Sequence, residues 1–178
     1  MLLISNFMFD TFYKPQELLE IDPYAAHNYH SNFYYFRLGG KYEGAMKSKV
    51  KLSKLTIPKN TFVRIWSLEK FKMSNRVLGI FGHKSTLMER GIELINSPSI
   101  DPGFEGNLSL GIKNNTTSDV HLSAGEEIGK VLFFDVTDTN WGGKEPFSEI
   151  SNQKQMVERR NVVIKNPEAL LKMDLDND

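Results

Sequence analysis

Short apolar segments separated by turn-forming residues recur along most of this chain, which is the pattern of antiparallel β-structure. Residues 50–57 alternate in part between apolar and polar side chains, and Pro58, Lys59 and Asn60 supply a turn before residues 61–66. Four more segments of this kind are residues 76–81, 107–112, 120–122 and 128–136. Clusters of Gly, Pro, Asn and Ser separate them at spacings typical of β-sandwiches and barrels, so we predict a mainly β fold.

Helical signals are few. Residues 15–20 suit a short helix because the proline can occupy the first turn, and residues 167–172 suit a second. Residues 137–149 carry turn formers and little periodicity, which indicates a loop leaving the β core. We therefore predict one domain over residues 1–146 and a peripheral C-terminal tail over residues 147–178.

Composition narrows the classes of function. The chain has 178 residues with 40% hydrophobic content, enough for one compact domain. Lysine and arginine balance aspartate and glutamate at 22 each, so no overall charge favours nucleic acid or an acidic membrane. The absence of cysteine excludes disulfides, thiol nucleophiles and thiolate zinc sites, and it favours a reducing cytoplasm. We expect neither export nor membrane insertion, because the chain has no basic leader and no apolar run of membrane length.

Two clusters have ordinary structural explanations. The histidines match no common metal-ligand spacing, so we predict no metal site; they are His27, His30, His83 and His121. A basic stretch reads as a solvated strand face or loop, not a nucleic-acid site; its members are Lys41, Lys47, Lys49, Lys51 and Lys54. The aromatic run at residues 33–36 favours core or subunit interface over a base-stacking platform.

Residues 99–114 contain the most specific motif, Ile-Asp-Pro-Gly-Phe-Glu-Gly at residues 100–106, followed by a strand that ends in Asn114. This stretch resembles the central signature of the dCTP deaminase and dUTPase superfamily. In that family the strand carries the catalytic glutamate on its outward side, shortly before the asparagine. Gly111 stands at that position here.

Residues 82–92 resemble the family's phosphate-binding segment, Gly-Arg-Ser-Ser-Leu-x-Arg-x-Gly-Leu. A cation and two hydroxyls suit a phosphate, and Lys84, Ser85 and Thr86 keep that chemistry. The family's catalytic arginine falls at Glu89, and Arg90 is displaced by one residue. On an extended segment such a slip turns the side chain to the other face.

Three further landmarks share the resemblance. Residues 122–134 resemble the family's turn and closing strand, with Lys130 in place of a glutamine, which adds a cation for phosphate. Residues 141–146 resemble the lid that folds over the nucleotide. Near the N-terminus, residues 21–24 and 36–39 match family landmarks, but Tyr35 replaces an aspartate that in dUTPases helps to hold the magnesium of the triphosphate.

The resemblance implies a β-clip or jelly-roll barrel with one or two short helices, assembled as a homotrimer with nucleotide sites between subunits. It implies no resident cofactor, and Mg²⁺ only with a bound triphosphate. The nucleotide-binding residues that it implies are Lys84, Ser85, Thr86, Arg90, Phe104, Lys130, Trp141 and Lys144. Asp101 is the candidate catalytic residue.

Two of these residues have alternative roles. Asp101 either orients water or the sugar, as in the dUTPase signature, or caps backbone amides before Pro102 and Gly103. Phe104 either stacks on the deoxyribose or fills a subunit interface.

Deamination in this family uses a glutamate that takes a proton from water, which attacks C4 of cytosine, while serine and arginine polarise the site. The chain also lacks the Cys-containing pattern of zinc deaminases. Losing a general base typically costs about 10²–10⁴-fold in rate. We therefore predict a nucleotide-binding protein without efficient deamination, with a sensing, sequestering or regulatory role.

Two other functions stay open. The first is an active dCTP deaminase or dUTP diphosphatase with rearranged residues, in which Glu89, Glu93 or Glu105 supplies the carboxylate. The second is an oligomerisation scaffold that binds no nucleotide.

Overall fold

The fold is taken from a computed structural model, which describes residues 1–43 and 48–136. The strands in chain order are β1 (Leu2–Leu3), β2 (Leu19–Asp22), β3 (Tyr29–His30), β4 (Phe33–Glu43), β5 (Ser48–Lys51), β6 (Lys54–Ile57), β7 (Phe62–Met73), β8 (Val77–His83), β9 (Ile92–Ile95), β10 (Ser99–Ile100), β11 (Glu105–Asn114), β12 (Val120–Ser123) and β13 (Glu127–Asp135). The helices are α1 (Asn6–Met8), a π-helical turn (Phe9–Tyr13), a 3₁₀ turn (Ala26–Asn28) and α2 (Ser85–Glu89). The predicted C-terminal loop, tail and second helix lie outside the described residues.

Eleven of these strands form one curled, antiparallel sheet. Its main path runs β10-β8-β13-β4-β7-β11-β9, with β1 on β13, β2 on β7, and β3 and β5 on β4. Strands β6 and β12 form a separate pair. The prediction of a mainly β, jelly-roll-like fold is confirmed.

The core lies on one face of this sheet, because buried and outward side chains alternate along the strands. In β13, Val131 and Phe133 are fully buried, whereas Lys130 between β4 and β8 is half-buried on the other face. The Phe133 ring meets Phe71 of β7 with ring centroids 6.0 Å apart. Burial of each such side chain stabilises the fold by about 1.5–3 kcal/mol.

A bulge at Ser67–Glu69 bends β7 in its middle. Along β11 the pairing steps from Asn107 to Ser109, while along β7 it steps from Lys70 to Trp66. The Asn107 amide donates to the carbonyl oxygens of Ser67 and Glu69, at 2.9 and 3.1 Å. The ladder bonds that the bulge interrupts are thus replaced by side-chain bonds, and the bend adds to the curl of the sheet.

A buried ion pair ties the bulge to β4. The Glu69 carboxylate is fully buried and accepts from the Arg37 backbone amide at 2.8 Å and from Arg37 Nε at 2.5 Å. Burial raises the pKa of Glu69, although the hydrogen bonds from Arg37 act in the opposite direction. Losing either partner would leave a buried polar group without compensation, so the pair fixes the register of the two strands.

Packing explains the residue types at positions 36–39, the segment that matches the family near the N-terminus. Phe36 and Leu38 are core residues on either side of Arg37. A Cβ on Gly39 would lie 2.4 Å from the ring of Trp66, so only glycine leaves room for that ring. The motif serves packing in this chain.

The predicted strands are present with small differences in bounds, but two expectations were wrong. The helix predicted over residues 15–20 is absent; helix occupies Asn6–Tyr13 instead, and Leu19 and Ile21 are buried in β2. The phosphate-like segment is helical, not extended. The aromatic run at residues 33–36 belongs to the long strand β4. Tyr34 and Phe36 are in the core, as predicted, and Phe33 and Tyr35 are half-buried on the outer face.

We predict that Asn107→Ala lowers the free energy of unfolding by about 1–3 kcal/mol, because the Ser67 carbonyl loses its side-chain donor and the Glu69 carbonyl keeps only the Ser67 hydroxyl. The matched variant Asn115→Ala removes an exposed amide that bonds only Glu93 among the described residues, and should cost about 0.5 kcal/mol or less. Urea unfolding of both variants measures the difference. Equal stabilities would contradict this account of the bulge.

Candidate functional site

The segment that supplies a cation and two hydroxyls, residues 84–86, forms the start of α2. Lys84 occupies the N-cap position, Ser85 and Thr86 are exposed, and buried Leu87 anchors the helix to the core. Because the segment is helical, displacing a residue by one position rotates it by about 100° and does not turn it to the opposite face. Arg90 is the C-cap residue and Glu89 beside it is exposed.

Both cations of this segment, Lys84 and Arg90, already have carboxylate partners. Lys84 Nζ lies 2.5 Å from Glu127 Oε2, and Arg90 Nη1 lies 2.5 Å from Glu126 Oε1. Arg90 also donates to the His121 carbonyl oxygen. A bound phosphate would therefore compete with two internal anions, neither of which is Glu89.

Lys130 reaches the same region from β13. It is paired in register with Tyr35 of β4 and Gly82 of β8, and its Nζ lies 5.3 Å from the centroid of the Phe33 ring. Lys84 Nζ lies 5.1 Å from the centroid of the Tyr35 ring. The fold thus brings together Lys84 and Lys130, which are distant in sequence.

The outward face of β11 has no room for a side chain at residue 111. A Cβ on Gly111 would lie 2.6 Å from Cε2 of Phe62 and 2.8 Å from the carbonyl oxygen of Ile95. The Gly111 amide donates to Asn96 Oδ1 at 3.3 Å. A side chain at this position would therefore need the Phe62 ring, which is 52% exposed, and the Ile95 carbonyl to shift.

The three substitute carboxylates have different positions. Glu93 of β9 is opposite Lys113, and Ile95 is opposite Gly111, so Glu93 shares the face of Gly111 one diagonal step away. Its carboxylate accepts from Asn115 at 3.0 Å.

Glu105 lies at the other end of β11. Its carboxylate is 2.6 Å from Lys70 Nζ, and this hydrogen bond holds the pKa of Glu105 below its usual value. Such a carboxylate is a solvated ion-pair partner. Glu89 is exposed on α2. Of the three, Glu93 is the one on the strand that pairs with β11 beside Gly111.

Asp101 and Phe104 lie in the turn between β10 and β11. The Asp101 carbonyl oxygen accepts from the Phe104 amide at 3.1 Å, while within residues 1–43 and 48–136 its carboxylate caps no amide. Phe104 is half-buried and packs against the core. Trp141 and Lys144 lie outside the described residues.

Among the described residues, no group of three or more His, Cys, Asp or Glu side chains is arranged to hold a metal ion. No helix in that part of the chain is long and apolar enough to cross a membrane.

Sequence reasoning missed Glu126, Glu127 and Phe62. Two adjacent acidic residues beside a predicted phosphate strand could have indicated ion pairs with Lys84 and Arg90. Phe62 carried no local signal, because its role depends on the pairing of β7 with β11.

We predict that the double variant Glu126→Gln and Glu127→Gln binds inorganic tripolyphosphate more tightly, by roughly two- to fivefold per carboxylate, because each competing pair is partly exposed and worth under about 1 kcal/mol. Glu105→Gln is the matched control and should leave affinity unchanged. Calorimetric titration at low salt measures both. Weaker or unchanged binding by the double variant would contradict competition by these carboxylates.

We also predict that Gly111→Ala lowers stability by about 1–3 kcal/mol through overpacking, and that Phe62→Ala in the same chain recovers part of this loss. A double-mutant cycle from urea unfolding should give a coupling of at least about 0.5 kcal/mol. Additive losses would show that Phe62 does not fill the space beside Gly111.

In sequence, this chain is similar to dCTP deaminases. A family model described as dCTP deaminase-like matches residues 42–136. The dCTP deaminase of Thermococcus kodakarensis is 32% identical over 124 residues, which cover 68% of this chain and 79% of that protein. The dCTP deaminase of Campylobacter lari is 40% identical over 77 residues, and the chain spans only 41% of that relative's length.

Solved structures show the same fold. The dCTP deaminase of Agrobacterium tumefaciens aligns with a TM-score of 0.60 at 14% identity, covering 74% of this chain and 48% of that one. A mutant dUTPase from phage phi11 of S. aureus aligns with a TM-score of 0.50 at 12% identity, covering 66% of this chain and 90% of that one. This chain belongs to the dCTP deaminase-like family.

Proposed function

We propose that this chain binds a phosphorylated pyrimidine deoxynucleotide without efficient deamination, in a sensing, sequestering or regulatory role. The observation that carries the proposal is the packing at Gly111, where a Cβ would lie 2.6 Å from the Phe62 ring. A glutamate at this position needs Phe62 to move. The local structure therefore has an aromatic ring beside residue 111, and residue 111 itself carries no group that could accept a proton.

Proton transfer is the part of the reaction most affected. General bases typically contribute about 10²–10⁴-fold, and a charged group that stabilises the transition state adds to this. Here Gly111 replaces the base and Glu89 replaces the arginine, so a negative charge stands where the reaction of the relatives requires a positive one. Slow or absent turnover is the expected result.

Anion recognition is better supported. Lys84 and Lys130 lie on one face, and the hydroxyl-bearing Ser85 and Thr86 are exposed beside Lys84. Charge-assisted hydrogen bonds to phosphate are about twice as strong as neutral ones. A triphosphate, with its several charges, can therefore displace the partly exposed Glu126 and Glu127 from their cations.

Family membership also implies contacts to the sugar, a condition for magnesium binding and an oligomeric state, and the proposal includes them. Asp101 and Phe104 would contact the sugar, and Mg²⁺ would enter only with a triphosphate. The assembly would be a homotrimer, which light scattering can test against the 20.4 kDa mass of one chain. The setting would be a reducing cytoplasm, to which a cysteine-free chain is suited.

A second candidate is an active dCTP deaminase or dUTP diphosphatase. The observation that favours it is the place of Glu93 on the face of Gly111, from which a carboxylate could act through a bridging water. The chain's belonging to the dCTP deaminase-like family agrees equally with this candidate.

We predict that dCTP and dUTP raise the melting temperature of the wild-type chain in proportion to the logarithm of their concentration, since a ligand of the folded state stabilises it. Product analysis of the same samples should find no steady release of ammonia or pyrophosphate. Nucleosides without phosphate serve as the control and should have little effect.

Steady turnover would contradict the proposal of nucleotide binding without catalysis and would support the second candidate, an active enzyme. Loss of that turnover in Glu93→Gln, with its retention in Glu105→Gln, would then identify Glu93 as the base. No thermal shift with any nucleotide would leave the scaffold function instead.

A further inference from the structure

Three cations without a carboxylate partner share the outer side of β5, β4 and β7. Lys49 and Lys51 are exposed on β5, and Arg64 is half-buried on β7. Lys49 Nζ donates to Asn107 Oδ1 at 2.6 Å, and Arg64 Nη2 donates to Ser109 Oγ at 3.0 Å; both acceptors are neutral. Within residues 1–43 and 48–136, no carboxylate oxygen lies within 4.0 Å of a charged nitrogen of these cations, so their charge is uncompensated.

Strand register brings the two lysines beside an aromatic side chain. In the pairing of β4 with β5, Tyr42 is opposite Lys49 and Gly40 is opposite Lys51. Directly opposed positions, and positions two residues apart on one strand, lie on the same face of a sheet. The half-buried Tyr42 therefore lies on the face of the lysines, on the strand between β5 and β7.

The same register adds Arg64 to this face. Gly40 of β4 is opposite Trp66 of β7, and Arg64 precedes Trp66 by two residues. The residue between them, Ile65, is fully buried in the core, so Arg64 and Trp66 point to the other side. Strand pairing thus joins an arginine to the basic stretch, which by sequence alone indicated a solvated face. We call the following residues the basic face: Tyr42, Lys49, Lys51 and Arg64.

A buried donor lies beneath the basic face. Trp66 is 5% exposed, and its indole nitrogen has no hydrogen-bond acceptor in the part of the chain that the structure describes. The nitrogen side of the ring is turned to β4, because Cε2, the atom bonded to Nε1, would lie 3.1 Å from a Cβ on Gly40. Lys49 Nζ lies over this ring, 5.2 Å from its centroid. Since a buried donor without an acceptor is costly, a ligand that brings oxygen atoms to this place gains affinity.

The other cations of β7 differ, because each has an anionic partner. Lys70 Nζ lies 2.6 Å from Glu105 Oε1, and Lys72 Nζ lies 2.5 Å from Glu20 Oε1. Together these four side chains carry no net charge. A polyanion that approaches the sheet is therefore attracted to the basic face and not to this end of β7.

These features fit a single nucleic-acid strand. Proteins that bind single strands without sequence preference combine a positively charged surface, which follows the backbone, with aromatic side chains on which bases stack. The three cations supply the charge, and Tyr42 supplies an accessible ring beside them. An acidic polypeptide would match the charge but offers no planar group to Tyr42. The combination favours nucleic acid over an acidic polypeptide.

We propose that the basic face binds single-stranded nucleic acid. Phosphates lie on its three cations, and one base stacks on Tyr42. A phosphate that draws Lys49 away from the Trp66 ring opens the indole nitrogen, which then donates to a phosphate oxygen. This function is separate from nucleotide binding at Lys84 and Lys130, and it replaces the expectation that the basic stretch is a solvated face.

The test is the fluorescence anisotropy of a labelled thymidylate strand of about 12 nucleotides, titrated with the full chain at several salt concentrations. The logarithm of the association constant should fall with the logarithm of salt concentration with a slope of about −2, because three phosphate contacts contribute about −0.7 each. The double variant Lys49→Gln and Lys51→Gln should reduce the slope to about −0.7 and weaken binding at low salt by about tenfold or more.

Stacking and charge have different signatures in this measurement. Tyr42→Leu keeps apolar volume but loses the ring, so it should weaken binding by about five- to a hundredfold without changing the slope. Tyr42→Phe keeps the ring and should bind like the wild type. The matched control, Lys70→Gln with Lys72→Gln, removes two cations that have carboxylate partners and should leave the slope unchanged. Thermal unfolding checks that each variant folds.

The outcomes separate this proposal from the proposed function. No binding of the strand by the wild type, or an unchanged slope in the Lys49 and Lys51 double variant, would overturn the proposal. Polyglutamate that binds as tightly as the strand, with no loss in Tyr42→Leu, would assign the face to an acidic polypeptide instead.

The nucleotide site is tested in the same variants. The Lys49 and Lys51 double variant should bind dCTP like the wild type, because the two surfaces are separate. Loss of the strand in Lys84→Ala, with its retention in the double variant, would move the strand to the nucleotide site and contradict the proposal. Binding of the strand by a wild-type chain that binds no dCTP would leave this proposal standing while the proposed function fails.

Discussion

The bulge at Ser67–Glu69 is the constraint on which the rest of the sheet depends. It lies in β7, which pairs with β2, β4 and β11, so a bend there changes the direction of much of the sheet. The Asn107 amide satisfies carbonyls of the bulge that the sheet ladder leaves unpaired, and Arg37 compensates the buried Glu69 carboxylate. Because unsatisfied polar groups in a core are costly, these few bonds select one register.

The site built on this sheet separates two kinds of chemistry. Anion binding needs only cations near the ligand. Lys84, at the N-cap of α2, and Lys130, on β13, provide them. Proton transfer needs one carboxylate at one place, and the chain has Gly111 there with the edge of the Phe62 ring packed beside it. The internal pairs with Glu126 and Glu127 then set how strongly a ligand must bind to displace them.

Much of the fold could be predicted because local patterns carried it. Strands such as β11 and β13 alternate buried and outward residues, and turn formers bound them. The helix at residues 15–20 was wrong, since burial of Leu19 and Ile21 in the sheet outweighed helix propensity. The absence of the glutamate at position 111 was predictable from a motif, but the packing of Phe62 beside Gly111 was not. Phe62 comes from another strand, and its role depends on register, which local sequence does not encode.

The most direct test of the account is an NMR titration of the labelled chain with dCTP that carries ¹⁵N in its 4-amino group. The account predicts that signals of Lys84, Ser85 and Lys130 shift as the nucleotide binds, while the amino nitrogen stays on the base. Steady accumulation of labelled ammonium would contradict it, and so would the absence of any shift in those residues.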